Sequence, residues 1–327
     1  MEKIENLDSP LVSIIIPVYN GANYLDEAIN SALNQTYPNI EILVINDGSN
    51  DNGATSLISK KYKNRIRYFE KSNGGVSTAL NYGIERSEGE WILWLSHDDI
   101  FLPNRVLDDI NFANENPAIE IIYSDFATID SKGKVIEFIK YEERHINTLQ
   151  DMIVANGLHF CALSFKKRVL LKTGHFNEYN RTMQDVEMAL KFSNNFTLFH
   201  NKDRLNTHIR ILPLKLFAKF NKYIISDMNH ISNYIGKKEV IDNYFYQLEK
   251  TGKSLFYGSF ILGNYFRFLG NSNKSNIFFK KAFNDFQTPI SEKVKYYVKY
   301  VISKYKTPKN RLRFLFLISL FSRLKNT

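Results

Sequence analysis

The chain has 327 residues, 44% of them hydrophobic, and one cysteine. It can bury an ordinary core, so disorder is excluded, and Cys161 alone can form neither an intramolecular bridge nor a cysteine zinc site. Residues 1–203 carry 20 Lys+Arg against 28 Asp+Glu, whereas residues 204–327 carry 23 against 6, for an overall net charge of +9.

The N-terminal Met1-Glu2-Lys3-Ile4-Glu5 lacks the basic-then-apolar order of a secretory signal, which predicts a cytoplasmic protein. From there the first third alternates short β-branched runs with helical patterns, the signature of βαβ units around a mainly parallel sheet. Strands are expected at Val12–Pro17, Ile40–Ile45, Ile66–Phe69 and Trp91–Leu95, with helices at Leu25–Leu33, Ala54–Lys61 and Val76–Glu85. Right-handed crossovers bring the carboxyl ends of such strands to one edge, where open α/β sheets bind ligands.

Beyond Pro103 the spacing predicts a helix to about Ala113 and strands at Ile119–Tyr123 and Val135–Ile139. Helices are expected at Leu149–Ala155, Lys167–Lys172 and Asp185–Phe192, with a strand at Phe196–Phe199. From Arg204 strand-like alternation fades, and Val240–Leu248, Lys253–Leu269, Lys274–Phe286 and Ser291–Tyr305 read as helices. A boundary near Ile211–Leu216 divides a domain of residues 1–212 from a basic, all-α region of residues 213–327. Segments 253–269 and 274–286 resemble one hairpin of a helical solenoid, with no second copy evident in the residues. The apolar block Phe314–Phe321, flanked by Lys309, Arg311, Arg313, Arg323 and Lys325, is too short to span a bilayer, which takes about 20 apolar residues. It suits either a helix on an anionic membrane surface or a packing helix.

The chemistry concentrates at strand ends. Asp47-Gly48-Ser49 follows the second strand, and Asp98-Asp99 follows the fourth, so three acids share one edge. Asp47 could accept the imino proton of a uracil or thymine ring, although Asp-Gly-Ser is also an ordinary turn. Crowded carboxylates repel, and a divalent cation relieves that repulsion while holding a diphosphate; helix capping is the competing reading of the pair.

Five blocks, Ser13-Ile14-Ile15-Ile16-Pro17-Val18-Tyr19-Asn20, Asn46-Asp47-Gly48-Ser49, Asn73-Gly74-Gly75, Asn81-Tyr82-Gly83-Ile84 and Leu95-Ser96-His97-Asp98-Asp99, stand in the order of the inverting family-2 glycosyltransferases. The resemblance covers about residues 10–205. It implies a Rossmann-like GT-A fold, a nucleotide-sugar donor such as a UDP-hexose or UDP-N-acetylhexosamine, and Mn2+ or Mg2+. Pro17, Tyr19 and Asn20 would form the nucleobase pocket, Asp47 would bind the base, and Asn73 and Gly75 would wall the ribose and phosphates. Ser96, His97 and Asp98 would meet the nucleotide, and Asp98, Asp99 and His208 the metal. Ser96 stands where the family has an aspartate, and Leu80 where many relatives carry arginine, so the diphosphate charge must be met elsewhere. Arg204 and Arg210 are candidates because guanidinium groups match phosphate oxygens.

In Gln184-Asp185-Val186-Glu187 the resemblance makes Asp185 the general base, with Gln184 replacing a glutamate. An inverting transfer needs such a carboxylate to take the acceptor hydroxyl's proton. The resemblance also implies a glycan or lipid-linked glycan acceptor, while the basic flanks of Phe314–Phe321 suggest an anionic membrane surface as partner of that segment; nucleic acid is not expected. The competing reading is a nucleotide-sugar or polyanion binding module that has lost catalysis. A dinucleotide oxidoreductase is disfavoured, because no Gly-X-Gly-X-X-Gly follows the first strand.

Overall fold

Val12–Val18 is buried at every position, as a strand covered on both faces must be, and as β1 it forms the centre of the main sheet. The computed structural model describes residues 9–141, 145–155, 158–211, 221–250 and 254–285. After β1 come α1 (Leu25–Leu33), β2 (Ile40–Asn46), α2 (Ala54–Lys60), β3 (Arg67–Glu70), α3 (Val76–Arg86), β4 (Trp91–Trp94), β5 (Ile100–Phe101) and α4 (Arg105–Glu115). Then follow β6 (Ile121–Ser124), β7 (Phe126–Ile129), β8 (Val135–Ile139), α5 (Leu149–Ala155), β9 (Leu163–Lys166), α6 (Leu170–Thr173), α7 (Gln184–Asn195), β10 (Phe199–Asn201) and β11 (Thr207–Arg210). The helices α8 (Asn221–Ile235), α9 (Lys238–Lys250), α10 (Leu255–Phe268) and α11 (Ser272–Phe283) complete the described chain.

Seven strands form a sheet in the order β10-β6-β9-β4-β1-β2-β3. All its pairings are parallel except those of β9, which runs antiparallel between β4 and β6. The α/β, mainly parallel architecture is therefore as expected. Val18 pairs with Asn46, Asn46 with Glu70, and Ile15 with Trp94, so the exits of β1, β2, β3 and β4 share one edge. Pro17 fits inside β1 because the β4 pairing stops at Ile15, two residues earlier, and no bond from that strand is lost.

A second sheet, β5-β11-β7-β8, was not evident in the sequence. Its members are two to five residues long, and β5, β7 and β11, like β9, carry no run long enough to register as period-2 alternation. Two expected elements move. Residues 167–169 form a 3-10 turn before α6, and the strand expected at Phe196–Phe199 lies at Phe199–Asn201 because the Phe196 N–H still closes α7 on Phe192 O.

The chain divides into two compact units, residues 1–244 and 245–327. Along the sequence α8–α9 and the packed pair α10–α11 lie in register at an offset of 34 residues. Their turn glycines are Gly236 and Gly270, and α9 and α11 begin at Lys238 and Ser272. Buried positions coincide at that offset: Met228 with Leu262, Ser232 with Phe266, Ile235 with Leu269, Tyr244 with Phe278, Leu248 with Ala282. This is the period of tetratricopeptide hairpins. The repeat is absent from the sequence reading because it lies in burial, while the paired side chains differ in size and polarity.

The expected helix at Ser291–Tyr305, the block Phe314–Phe321 and its flanking cations, and most of the expected boundary at 211–216 lie outside the described residues. Among the described residues no helix is long and apolar enough to cross a membrane.

Packing between α3 and the sheet depends on Gly83, where a Cβ would lie 2.6 Å from Ile15 Cγ2. Gly83→Leu therefore forces overpacking at the central strand, with an expected loss of about 1–3 kcal/mol, to be read as a lower urea midpoint.

Candidate active site

Asp47 follows β2 directly and is 3% exposed. Its charge is met inside the protein: Lys71 Nζ donates to Oδ1 at 2.7 Å, Gly74 N at 3.0 Å, and Gly75 N donates to Oδ2 at 2.7 Å. Asn73 Nδ2 donates to the Asp47 carbonyl at 2.8 Å. A carboxylate offers about four acceptor positions, and the last, on Oδ2, holds only a long shared contact from Gly74 N at 3.3 Å. Gly75 has φ +94°, which lets the turn aim two successive N–H groups at one carboxylate. Tyr19, 45% exposed, and Asn20 lie beside the same loop, with Asn20 Nδ2 donating to Asn50 Oδ1 at 2.6 Å. Pro17 is buried within β1 and backs this region instead of lining it. A cavity of about 550 Å³ opens beside it, bounded by Gly48, Ser49, Lys71 and Ser72 among others.

The loop after β4 separates the two acids that the sequence places side by side. Asp98 is half-buried, and its carboxylate takes no hydrogen bond among the described residues. Asp99 is 3% exposed and accepts from Arg210 N at 2.8 Å. Asp99, His159 and Cys161 each offer a donor atom within 4.8 Å of the others. Burial first, and the neighbouring Asp98 charge second, push the Asp99 carboxyl up to about 7; burial holds His159 down at about 4, hence neutral. Ser96 does not replace the missing aspartate outwardly, because its hydroxyl lies 3.3 Å from Cys161 Sγ. His97 packs on Gly21, where a Cβ would come within 2.5 Å of its ring. His208 is brought to this loop by the β5–β11 pairing, opposite Ile100, and burial lowers its pKa.

Two arginine assignments change. The Arg210 side chain is 1% exposed and is fully directed inward. Nε donates to Asp98 O at 2.8 Å, one terminal nitrogen to Asp130 O at 2.9 Å, and the other to Glu27 Oε2 at 2.6 Å, with the guanidinium 4.3 Å from the Tyr24 ring centroid. It braces the Asp98 loop against α1 and is not free for a diphosphate. Arg204 lies 3.7 Å from Asp108 on α4 and lines a smaller cavity with Asn111, Phe112, Glu115 and Asn201, a group containing none of the residues around Asp47 or Asp98.

Asp185 sits in the first turn of α7, half-buried. Val186 N donates to it at 2.8 Å, yet desolvation outweighs that bond and pushes its pKa up to about 6. The segment leading to it is tied to the nucleotide-side turn. Arg181 donates from its guanidinium to Gly74 O, Ser77 Oγ donates to Asn180 O at 3.1 Å, and Asn81 Nδ2 donates to Phe176 O at 2.9 Å. The Trp94 ring, at the end of β4, packs edge-on to Phe176 at 6.0 Å. Gln184 is 9% exposed, and its Oε1 has no partner.

Lys71 and Arg181 are the residues that the sequence reading missed. Lys71 could have been found as a lone cation between the third strand and Asn73-Gly74-Gly75; nothing local marks Arg181, whose place depends on a long-range contact.

The model of glycosyl transferase family 2 matches residues 13–169. The chain is 45% identical over 195 residues to an uncharacterized glycosyltransferase of Rickettsia felis, a match covering 58% of this chain and 32% of the relative. The chain spans 29% to 60% of the length of the Rickettsia relatives that it matches. It is 28% identical over 256 residues to the poly(ribitol-phosphate) beta-N-acetylglucosaminyltransferase TarP of Staphylococcus aureus, covering 75% of this chain and 72% of that one. Among solved structures, S. aureus TarS 1–349 in complex with UDP-GlcNAc superposes with a TM-score of 0.56 at 17% identity, over 83% of this chain and 89% of that one.

Arg210→Met removes the brace and leaves two carbonyls without their donor. It is expected to lower the stability of the nucleotide-free protein by roughly 2 kcal/mol in a urea titration. A residue reserved for diphosphate would leave that stability unchanged.

Proposed function

We propose that the chain, whose residues 13–169 match the model of glycosyl transferase family 2, transfers a sugar from a UDP-hexose or UDP-N-acetylhexosamine to a hydroxyl of a glycan or lipid-linked glycan. The fold is of GT-A type. The observation that carries the reading is the joining of the Asp185 segment, through Arg181, to the Gly74–Gly75 turn that also holds Asp47. UDP in TarS and UDP with Mn2+ in GalNAc-T7, a fold neighbour with a TM-score of 0.50, support the choice of donor and cation.

Asp47 would accept a hydrogen bond from the uracil imino N–H on Oδ2, in place of the long contact from Gly74 N at 3.3 Å, with the Tyr19 ring against the base. For the cation, Asp98 and His208 fit: the β5–β11 pairing carries His208 to the loop of Asp98, neither side chain is hydrogen-bonded among the described residues, and the depressed pKa of His208 keeps a nitrogen lone pair available. Asp99 fits poorly, since its carboxyl is turned to His159 and Cys161. The bound cation would offset charge on the departing diphosphate. Lys71 is committed to Asp47 and Arg210 to the loop brace, and Arg181, held on the Gly74 carbonyl, would meet the diphosphate; it is exposed, and no carboxylate pairs with it among the described residues. Asp185 would accept the proton of the acceptor hydroxyl as that oxygen attacks the anomeric carbon from the face opposite the diphosphate, giving inversion without a covalent intermediate.

Asp185 works only when ionised, so its raised pKa has a definite sign. Below pH about 6 the carboxyl is protonated and cannot take a proton, and kcat/KM should fall tenfold per pH unit; above it the rate should level. The assay is UDP release from a panel of UDP-sugars with Mn2+ or Mg2+ and a cell-envelope glycan extract, and Asp185→Asn should lose both turnover and this acid limb while still binding UDP. Binding with no transfer to any acceptor in the wild-type protein would instead favour a non-catalytic binding module. Arg181→Met should weaken UDP binding by roughly 10-fold or more, the worth of a charge-assisted bond, as read by calorimetry.

A further inference from the structure

Asp227 lies on α8, in the region whose composition sets it apart from the catalytic half, yet its carboxylate is fully buried. Among the described residues every hydrogen bond it receives comes from two residues just ahead of Asp185. Arg181 N donates to both of its oxygens at 3.1 Å, Thr182 N donates at 2.6 Å, and Thr182 Oγ1 donates to the same oxygen. A buried carboxylate is stable only where donors meet its charge, and here the donors are backbone and side chain of consecutive loop residues, 45 and 46 positions away in sequence. The bonds therefore fix a short piece of backbone instead of merely filling a core.

That piece leads directly into α7. The loop has local ties, Met183 N to Asn180 Oδ1 and Asn180 Nδ2 to Glu187 Oε2, both at 3.0 Å, and on its other side Ser77 Oγ and the Gly74 carbonyl hold Asn180 and the Arg181 side chain. Asp227 alone, among the described residues, grips the backbone N–H groups of Arg181 and Thr182. We propose that Asp227 is a positioning residue for the transfer reaction: by clamping residues 181–182 it sets where α7 begins, and so where the Asp185 carboxylate points. The inference rests on the reading of Asp185 as the base, and it places no Asp227 atom on substrate.

The test uses the full chain. Asp227→Asn swaps one acceptor oxygen for an NH2 group facing N–H donors. The expected result is a fall in kcat of roughly 100-fold, the scale of a misplaced catalytic group, with KM for the UDP-sugar unchanged. In an Asp185→Asn background the same substitution should cost nothing more, because residues acting through one another are non-additive. Losses that multiply, or a normal kcat in Asp227→Asn beside a crippled Asp185→Asn, would overturn the inference while leaving the base assignment standing. Normal turnover in Asp185→Asn would overturn both. Should Asp227→Asn fail to fold, Thr182→Val removes only the hydroxyl donor; a fall confined to kcat supports the clamp, and unaltered kinetics refute it.

Discussion

One buried carboxylate ties the candidate site together. Burying the charge of Asp47 is tolerable only because a lysine and two backbone N–H groups answer it. Those donors come from the exit of β3 and the turn that starts α3, so three elements are held in one geometry by one side chain. Arg181 extends the assembly by bonding to the carbonyl of Gly74, which adds the approach to α7. Positions 47 and 185, far apart along the chain, thereby share a scaffold whose parts cannot shift independently.

Four aspartates near this edge occupy four different electrostatic settings, and setting separates their roles more than sequence position does. Asp47 is neutralised by Lys71. Asp98 is half-buried and, among the described residues, takes no hydrogen bond, the state that suits a cation ligand. Asp99, its immediate neighbour, is buried against a thiol and a neutral imidazole and is held near 7, which makes it a structural group unless an ion enters that cluster. Asp185 is raised by desolvation to about 6, high enough to be a competent base and low enough to be ionised at neutral pH.

Much of this was legible in the residues. The buried runs Val12–Val18 and Trp91–Trp94 and the amphipathic Leu25–Leu33 announce themselves by periodicity, and the blocks after each parallel strand mark the ligand edge. What was not legible depends on partners distant in sequence. The strands β5 and β11 exist because they pair with each other, and only that pairing puts His208 opposite Ile100. Arg210 has the chemistry of a phosphate ligand, and nothing local reveals that Glu27, 183 residues away, claims it. Asp98 and Asp99 read as a pair because adjacency in sequence says nothing about which way each carboxyl faces. The helical repeat escaped for a related reason, since Ser232 and Phe266 share a place in the packing without sharing any chemistry.

The replacement of arginine by Leu80, relative to the family pattern, also has a structural counterpart. Leu80 is 1% exposed on α3 and has become part of the apolar packing, so α3 itself no longer supplies a cation at that position. The turn at its N-terminus cannot compensate with free N–H groups, because Gly74 and Gly75 spend theirs on Asp47. A cation must then reach the turn from another element, and Arg181 does so from the α7 side. Its backbone is fixed by Asp227, a residue of α8. In that arrangement one stretch of loop is held at two points, its Arg181 guanidinium by the Gly74 carbonyl and its backbone by Asp227, so the side chain on the turn and the start of α7 are fixed by separate contacts.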